Sequence, residues 1–189
     1  MIKLNTSEHK IWFTSDLHFG HNKEFLYKPR GFNSIEEHDG TIINNFNSLV
    51  SDDDEVFILG DLMLVNNDNG IECLKKLNGK KYFIIGNHDT DSRLELYKNI
   101  NLECLGYSTL ISVNKYHLYL SHYPSTTSNY DSDKPLKTRI INISGHTHCK
   151  EKFNNLTGSY NVALDAHNNF PVEFNTIISD VKERLEDGK

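Results

Sequence analysis

Cysteine is scarce in this chain and irregularly placed. Its three residues, Cys73, Cys104 and Cys149, are odd in number and show no CxxC spacing, which argues against a disulfide framework and against a thiolate zinc site. The expected compartment is the reducing cytoplasm. Long apolar runs are missing too. No stretch approaches the roughly 18 apolar residues of a membrane span, and the opening MIKLNTSEHK lacks the continuous apolar segment of an export signal. Nor is positive charge in excess: 20 Lys and Arg against 26 Asp and Glu give a formal net charge of -6. That balance weighs against a broad grip on duplex nucleic acid, so a bound phosphate would need a local source of positive charge. Repeats, linkers and insertions dedicated to base or lipid recognition are also absent. What remains is 189 residues with 37% hydrophobic content, enough for one domain with a sizeable core, expected to span 1–189.

The residues that are present alternate between two periodicities. The runs 10–14, 55–59, 82–85, 118–120 and 140–143 are rich in β-branched, aromatic or aliphatic residues and close in polar or glycine-bearing turns, as core strands do. Between the first two, Ser34 followed by Glu37 forms a capping-box signature. Ile35, Ile42, Phe46 and Leu49 then fall on one face of a helix that Gly40 weakens slightly. Shorter helices are expected at 71–77 and 93–98, and a terminal one places Ile177, Ile178, Val181 and Leu185 on one face. The polar stretch PSTTSNYDSDKPLKT, 124–138, reads as a surface loop of the kind that borders functional sites. The order is α/β.

Each strand ends in the same manner. WFTSDLHFGH carries Asp16 and His18; VFILGDL ends in Gly60 and Asp61; YFIIGNHD in Gly86, Asn87, His88 and Asp89; LYLSHYP in His122; INISGHTH in Gly145, His146 and His148. Ligands of open α/β sheets sit beyond the carboxyl ends of the strands, so five such ends can converge although they are scattered along the chain. Aspartate, histidine and asparagine without cysteine suit manganese, iron, zinc or nickel, and a carboxylate has two oxygens with which to bridge two ions. The inventory fits a two-metal site. Ions about 3.5–4 Å apart share a hydroxide, make it nucleophilic near neutral pH and stabilise the attacking and leaving oxygens at phosphorus.

The ordered series Asp-x-His, Gly-Asp, Gly-Asn-His-Asp, His and Gly-His-x-His resembles the calcineurin-like metallophosphoesterase superfamily. SDLHFGHN, the EEHDGTIINNFN helix ahead of FILGD, SHYP and NVALDAHNNFPV further resemble its small single-domain bacterial and phage phosphoesterases. The resemblance implies a four-layer αββα sandwich with two mixed β-sheets and a dinuclear metal site at the strand C-terminal ends. It implies that Asp16, His18 and His148 hold one divalent ion, that Asn87, His122 and His146 hold the other, and that Asp61 bridges them. Manganese is the expected metal, with iron, zinc, nickel or cobalt as alternatives. His88 is then free of the metals, and in the family it protonates the leaving group or stabilises the transition state, with Asp89 orienting it. Imidazole, which titrates near neutrality, suits that work.

Other residues stay open. His21, just after the first block, is either a loop residue or a substrate contact. Lys23, Lys28 and Arg30 are either a solvated face or, at Arg30, a forked phosphate contact. His9, His38, His117 and His167 read as surface or satisfied core residues, Asp165 as a turn residue or a carboxylate behind a metal ligand, and the SDDDEV run at 51–56 as a solvated turn. The expected function is metal-dependent hydrolysis of a small or nucleotide phosphoester. A diester is favoured because no arginine inside the five blocks meets the extra charge of a monoester dianion. A phosphomonoesterase or protein phosphatase is the alternative, and a non-catalytic scaffold for protein partners is the reading from another class. No membrane or stable duplex partner is expected, and the oligomeric state is left open.

Overall fold

A computed structural model describes residues 1–127 and 134–187, so the middle of the expected 124–138 loop lies outside the described residues. Along the chain run β1 (Ile2–Leu4), β2 (Ile11–Thr14), α1 (Glu24–Tyr27), α2 (Ile35–Leu49), β3 (Glu55–Ile58), α3 (Asn67–Lys75), β4 (Lys80–Phe83) and α4 (Asp91–Lys98). They are followed by β5 (Glu103–Cys104), β6 (Ser108–Val113), β7 (Tyr116–Ser121), β8 (Ile140–Ser144), β9 (Tyr160–Asn161), β10 (Val172–Glu173) and α5 (Phe174–Asp187). Two mixed sheets result. One has the order β10-β2-β3-β4-β5, parallel except where β10 runs against β2; the other has the order β1-β6-β7-β8-β9, parallel except between β6 and β7.

Strict alternation along the strands separates two cores. Phe13, Phe57 and Tyr82 point from β2, β3 and β4 toward the second sheet and stack in register, with centroids 5.4 and 5.1 Å apart. There they join Ile111, Leu118, Leu120, Ile141 and Ile143. Trp12, Val56, Ile58 and Phe83 point the other way and are covered by Ile42 and Phe46 of α2, Leu74 of α3 and Tyr97 of α4. Helix α2 begins where the capping-box pattern placed it: Ser34 Oγ accepts the N–H of Glu37 at 3.2 Å. Helix α5 buries Phe174, Ile177 and Ile178 in the inter-sheet core, while His117, Tyr119, Ile140 and Asn142 on the opposite face of β7 and β8 stay half-buried.

Two local expectations change, and one strand appears where the sequence pattern marked none. The apolar run at 82–85 forms its ladder earlier, at 80–83; beyond it, Ile84 and Ile85 still donate to the carbonyls of Ile58 and Gly106, both at 2.9 Å. The acidic run at 51–56 is not simply a solvated turn. Asp54 is 5% exposed and accepts from the N–H groups of Lys10 and Ser51 and from Trp12 Nε1, which pins the start of β3 to β2. Strand β6, whose serines and threonine mask its period, is paired with β7 through Asn114 and Lys115, both at positive φ (48° and 72°), the backbone of a tight two-residue hairpin. The three cysteines are free, and no helix among the described residues is long and apolar enough to cross a membrane.

Candidate metal centre

The carboxyl ends of β2, β3 and β4 in one sheet meet those of β7 and β8 in the other. Their loops are stitched together by backbone bonds from Asp16 N to Gly60 O (3.1 Å), His18 N to Asp61 O (3.0 Å) and Gly145 N to His122 O (3.0 Å). The turns are tight. Asp16, His18, Asp61, His146 and His148 all have φ between 48° and 72°, a left-handed region that costs a non-glycine residue about 1–3 kcal/mol. Strain held at five motif residues, rather than relieved by glycine, marks positions whose side chains matter more than their backbone comfort.

The donors form two overlapping groups. In each, three ligand atoms lie within 4.8 Å of one another: Asp16, His18 and His148 in one, Asp16, Asp61 and His122 in the other. Asp61 Oδ2 sits between them, 3.6 Å from His18 Nε2 and 3.5 Å from His122 Nε2. Asn87 Oδ1 and His146 Nδ1 approach His122 Nε2 at 2.9 and 3.2 Å. The structure thus brings together all seven residues that the resemblance implied as ligands.

Two of the histidines have their far nitrogen fixed by the fold. His122 Nδ1 donates to the carbonyl of Leu59 at 2.7 Å, so Nε2 is left with a bare lone pair facing Asp61 and Asn87. His148 Nδ1 lies 3.1 Å from Asp165 Oδ2, which turns its Nε2 toward His18 Nε2, 3.2 Å away. Such a separation suits two nitrogens that share an ion at roughly 2.0–2.1 Å each. The electrostatics suit a bound cation. Burial pushes the Asp16 carboxyl above its ordinary range, and Asp16 Oδ1 has no hydrogen-bond partner. Burial, reinforced by Arg30, holds His18 well below the usual imidazole value, in the neutral form a metal requires. Burial alone would lower His148 as well, but Asp165 and Asp16 lift it. A buried carboxylate oxygen without a partner, Asp16 Oδ1, close to the His18 imidazole fits a divalent ion held by oxygen and nitrogen.

Residues 9–171 match the sequence profile of the calcineurin-like phosphoesterase family. The chain belongs to this family. It is therefore a metal-dependent phosphoester hydrolase by descent. Relatives include an uncharacterized protein of Methanocaldococcus jannaschii, 32% identical over 190 residues that cover 97% of this chain and 95% of the relative. The gene 66 protein of Mycobacterium phage L5 is 32% identical over 160 residues, covering 72% and 76%. A crystal structure of a protein of unknown function from Aquifex aeolicus shares the fold, with a TM-score of 0.69 at 21% identity over 90% of this chain and 98% of that one.

Within this phosphoesterase, two sequence expectations need correction. Arg30 neither lies on a solvated face nor forks a phosphate. Its side chain is 1% exposed and grips Asp165 with Nε and Nη2 at 3.1 and 2.7 Å, while Nη2 also donates to Asp16 O at 2.8 Å and Nη1 meets His38 Nε2 at 3.0 Å. Its charge is matched inside the protein. Burial would raise the Asp165 carboxyl, yet His148 and Arg30 hold it well below the ordinary carboxylate range. Arg30→Ala would strand that carboxylate. A loss of about 3–5 kcal/mol in stability is expected, read as a lower urea midpoint, with no change in the ratio of monoester to diester turnover.

Nor does Asp89 orient the His88 ring, because both its oxygens are taken. Oδ2 accepts from the N–H groups of Asp61 and Gly86 at 2.8 and 2.9 Å, and Oδ1 accepts from Leu62 N at 3.2 Å and from the Tyr97 hydroxyl at 2.8 Å. Asp89 fixes the loop that carries Asp61. His88 itself has a side chain 40% exposed with Nε2 3.9 Å from Asp61 Oδ2, and its N–H donates to Asp61 Oδ1 at 2.9 Å. His21 lies nearby and is 7% exposed; burial, together with His88 and Lys23, pulls it down to about 4. The glycines of the motif are explained by proximity. A methyl group at Gly86 would collide with the Asp61 carboxylate, and one at Gly145 with Ser15 Oγ and the Asp16 carboxylate.

Proposed function

We propose that residues 1–189 form one catalytic domain that hydrolyses small or nucleotide phosphodiesters with two divalent ions, manganese foremost. Asp16, His18 and His148 would hold one ion, Asn87, His122 and His146 the other, and Asp61 both. Bound there, the ions supply Lewis acidity that polarises phosphoryl oxygens and makes water nucleophilic near neutral pH. The observation that carries the reading is the place of Asp61 Oδ2, within 3.6 Å of a histidine from each half of the site. His88, half-exposed and assigned no ligand role, gives its proton to the departing oxygen. Asp165 and Leu59 O hold the two ligand histidines in the tautomers that present Nε2 to the ions.

The preference for diesters rests on charge. A monoester dianion calls for cationic donors beyond the metals, and the arginines near the centre are committed. Arg30 is bound to Asp165; Arg93 donates to the carbonyl of His88 and to Asn67 Oδ1. The test begins with the metals. Exhaustive chelation is expected to abolish hydrolysis of bis-p-nitrophenyl phosphate, and manganese, nickel or cobalt to restore it better than calcium. Full turnover with no metal found by elemental analysis would end the proposal. A higher kcat/KM for p-nitrophenyl phosphate than for the diester would keep the hydrolase but reassign it to monoesters.

A further inference from the structure

Beside the metal centre lies a cleft of about 350 Å³, lined by His18, His88 and His148 together with His21, Phe25 and Pro29. The packing of the fold leaves one feature of this lining unexplained. Phe25 is 74% exposed although Leu26 and Tyr27, its neighbours on α1, are buried. A single exposed phenylalanine is ordinary on a protein surface. One that walls a cleft shared with His88 offers a flat apolar face to whatever the cleft holds.

The rings form a continuous path. Centroids are 5.5 Å apart from His88 to His18, from His18 to His21 and from His21 to Phe25, each step within the range of aromatic contact. The cleft thus has the phosphoryl centre at one end and an outward aromatic face at the other. A leaving group must lie beside the residue that protonates it, and His88 is in this lining. Asp165, the cleft's carboxylate, is tied to Arg30, so nothing there invites a cationic group. Its volume is that of a site for one small ligand.

We infer that this cleft receives the leaving alcohol of the substrate, and that the alcohol is a nucleoside whose base stacks on Phe25. The inference rests on the phosphoesterase reading and narrows its substrate class. One water is consumed: its oxygen bonds to phosphorus, the bond from phosphorus to the nucleoside oxygen breaks, the proton of His88 ends on that oxygen, and the proton given up by the water replaces it through solvent. The products are a nucleoside and a phosphate monoester.

The experiment compares adenosine 5′-(methyl phosphate) with ribose 5-(methyl phosphate), which share a primary alkoxide leaving group and differ in the base. With the metal-loaded wild type, kcat/KM should favour the adenosine ester by roughly 5- to 100-fold, the range for stacking one base on an aromatic side chain. Its products should be adenosine and methyl phosphate. The preference should fall toward one in Phe25→Ala and persist in Phe25→Trp. The latter also gives a readout without turnover. Trp12, the sole tryptophan of the natural chain, is 4% exposed, so quenching of the new, exposed indole by adenosine monophosphate but not by ribose 5-phosphate reports stacking in metal-free protein. Equal rates on the two esters in wild type, or release of methanol and adenosine monophosphate, would overturn the inference while leaving the hydrolase in place. No turnover of any ester by metal-loaded protein would remove both.

Discussion

Asp61→Asn is expected to lower kcat/KM on bis-p-nitrophenyl phosphate by about three powers of ten or more, the largest loss of any single ligand change, with bound metal falling below two per chain. The reason is local. Asp61 has two jobs on its two oxygens: Oδ1 accepts the N–H of His88 at 2.9 Å, while Oδ2 faces His18 and His122. Asparagine keeps the shape but not the symmetry. With its oxygen toward the metals, its amide N–H meets the N–H of His88; turned over, it presents hydrogen atoms to the ions. Either way the bridge loses its charge. The backbone of residue 61 remains held by Asp89 Oδ2, so the thermal midpoint of the metal-free protein should move little. Elemental analysis beside the kinetics decides the matter, since two ions at full occupancy with normal turnover would mean that Asp61 is not the bridge.

Much of this centre is legible in the sequence because the chemistry sits at strand ends. An apolar run that breaks into Gly-Asp or Gly-Asn-His-Asp announces both a buried strand and the point where it stops, and parallel neighbours bring such points together. The helix opened by Ser34 is legible for a similar reason, since its cap and its period lie within a few residues of each other. What the sequence hides is pairing at a distance. Arg30 and Asp165 are 135 residues apart, and only the folded chain shows that they meet behind His148. Arg30 in a run with Lys23 and Lys28 looks like surface charge; burial and a carboxylate partner make it a brace behind His148. Asp89 misleads in the opposite way. The family resemblance implies that it orients His88, but its oxygens reach the Asp61 N–H and the Tyr97 hydroxyl instead. One signal could have warned of this: Tyr97 is the fully buried residue of a short helix that follows at once, and a buried phenol needs an acceptor.

His88→Ala tests the remaining half of the chemistry. Both metals should stay bound, because His88 is assigned no ligand role and its hold on Asp61 runs through a backbone N–H that alanine retains. Stability should also be close to wild type, since the side chain is 40% exposed and removing it opens no core cavity. Turnover is a different case. An alkoxide departs poorly without a proton, so hydrolysis of a nucleoside ester should slow by about two to four powers of ten, the usual scale of general acid catalysis. A p-nitrophenolate is stable as it leaves and needs no such help. The loss on bis-p-nitrophenyl phosphate should therefore be clearly smaller, and the ratio of the two losses is the quantity to measure, with metal content determined on the same samples. Equal losses on the two esters with both ions in place would assign His88 to the phosphoryl oxygens, where it would stabilise charge that develops whatever the leaving group. Equal losses with one ion missing would instead place its imidazole, 3.9 Å from Asp61 Oδ2, among the groups that keep the bridge in position.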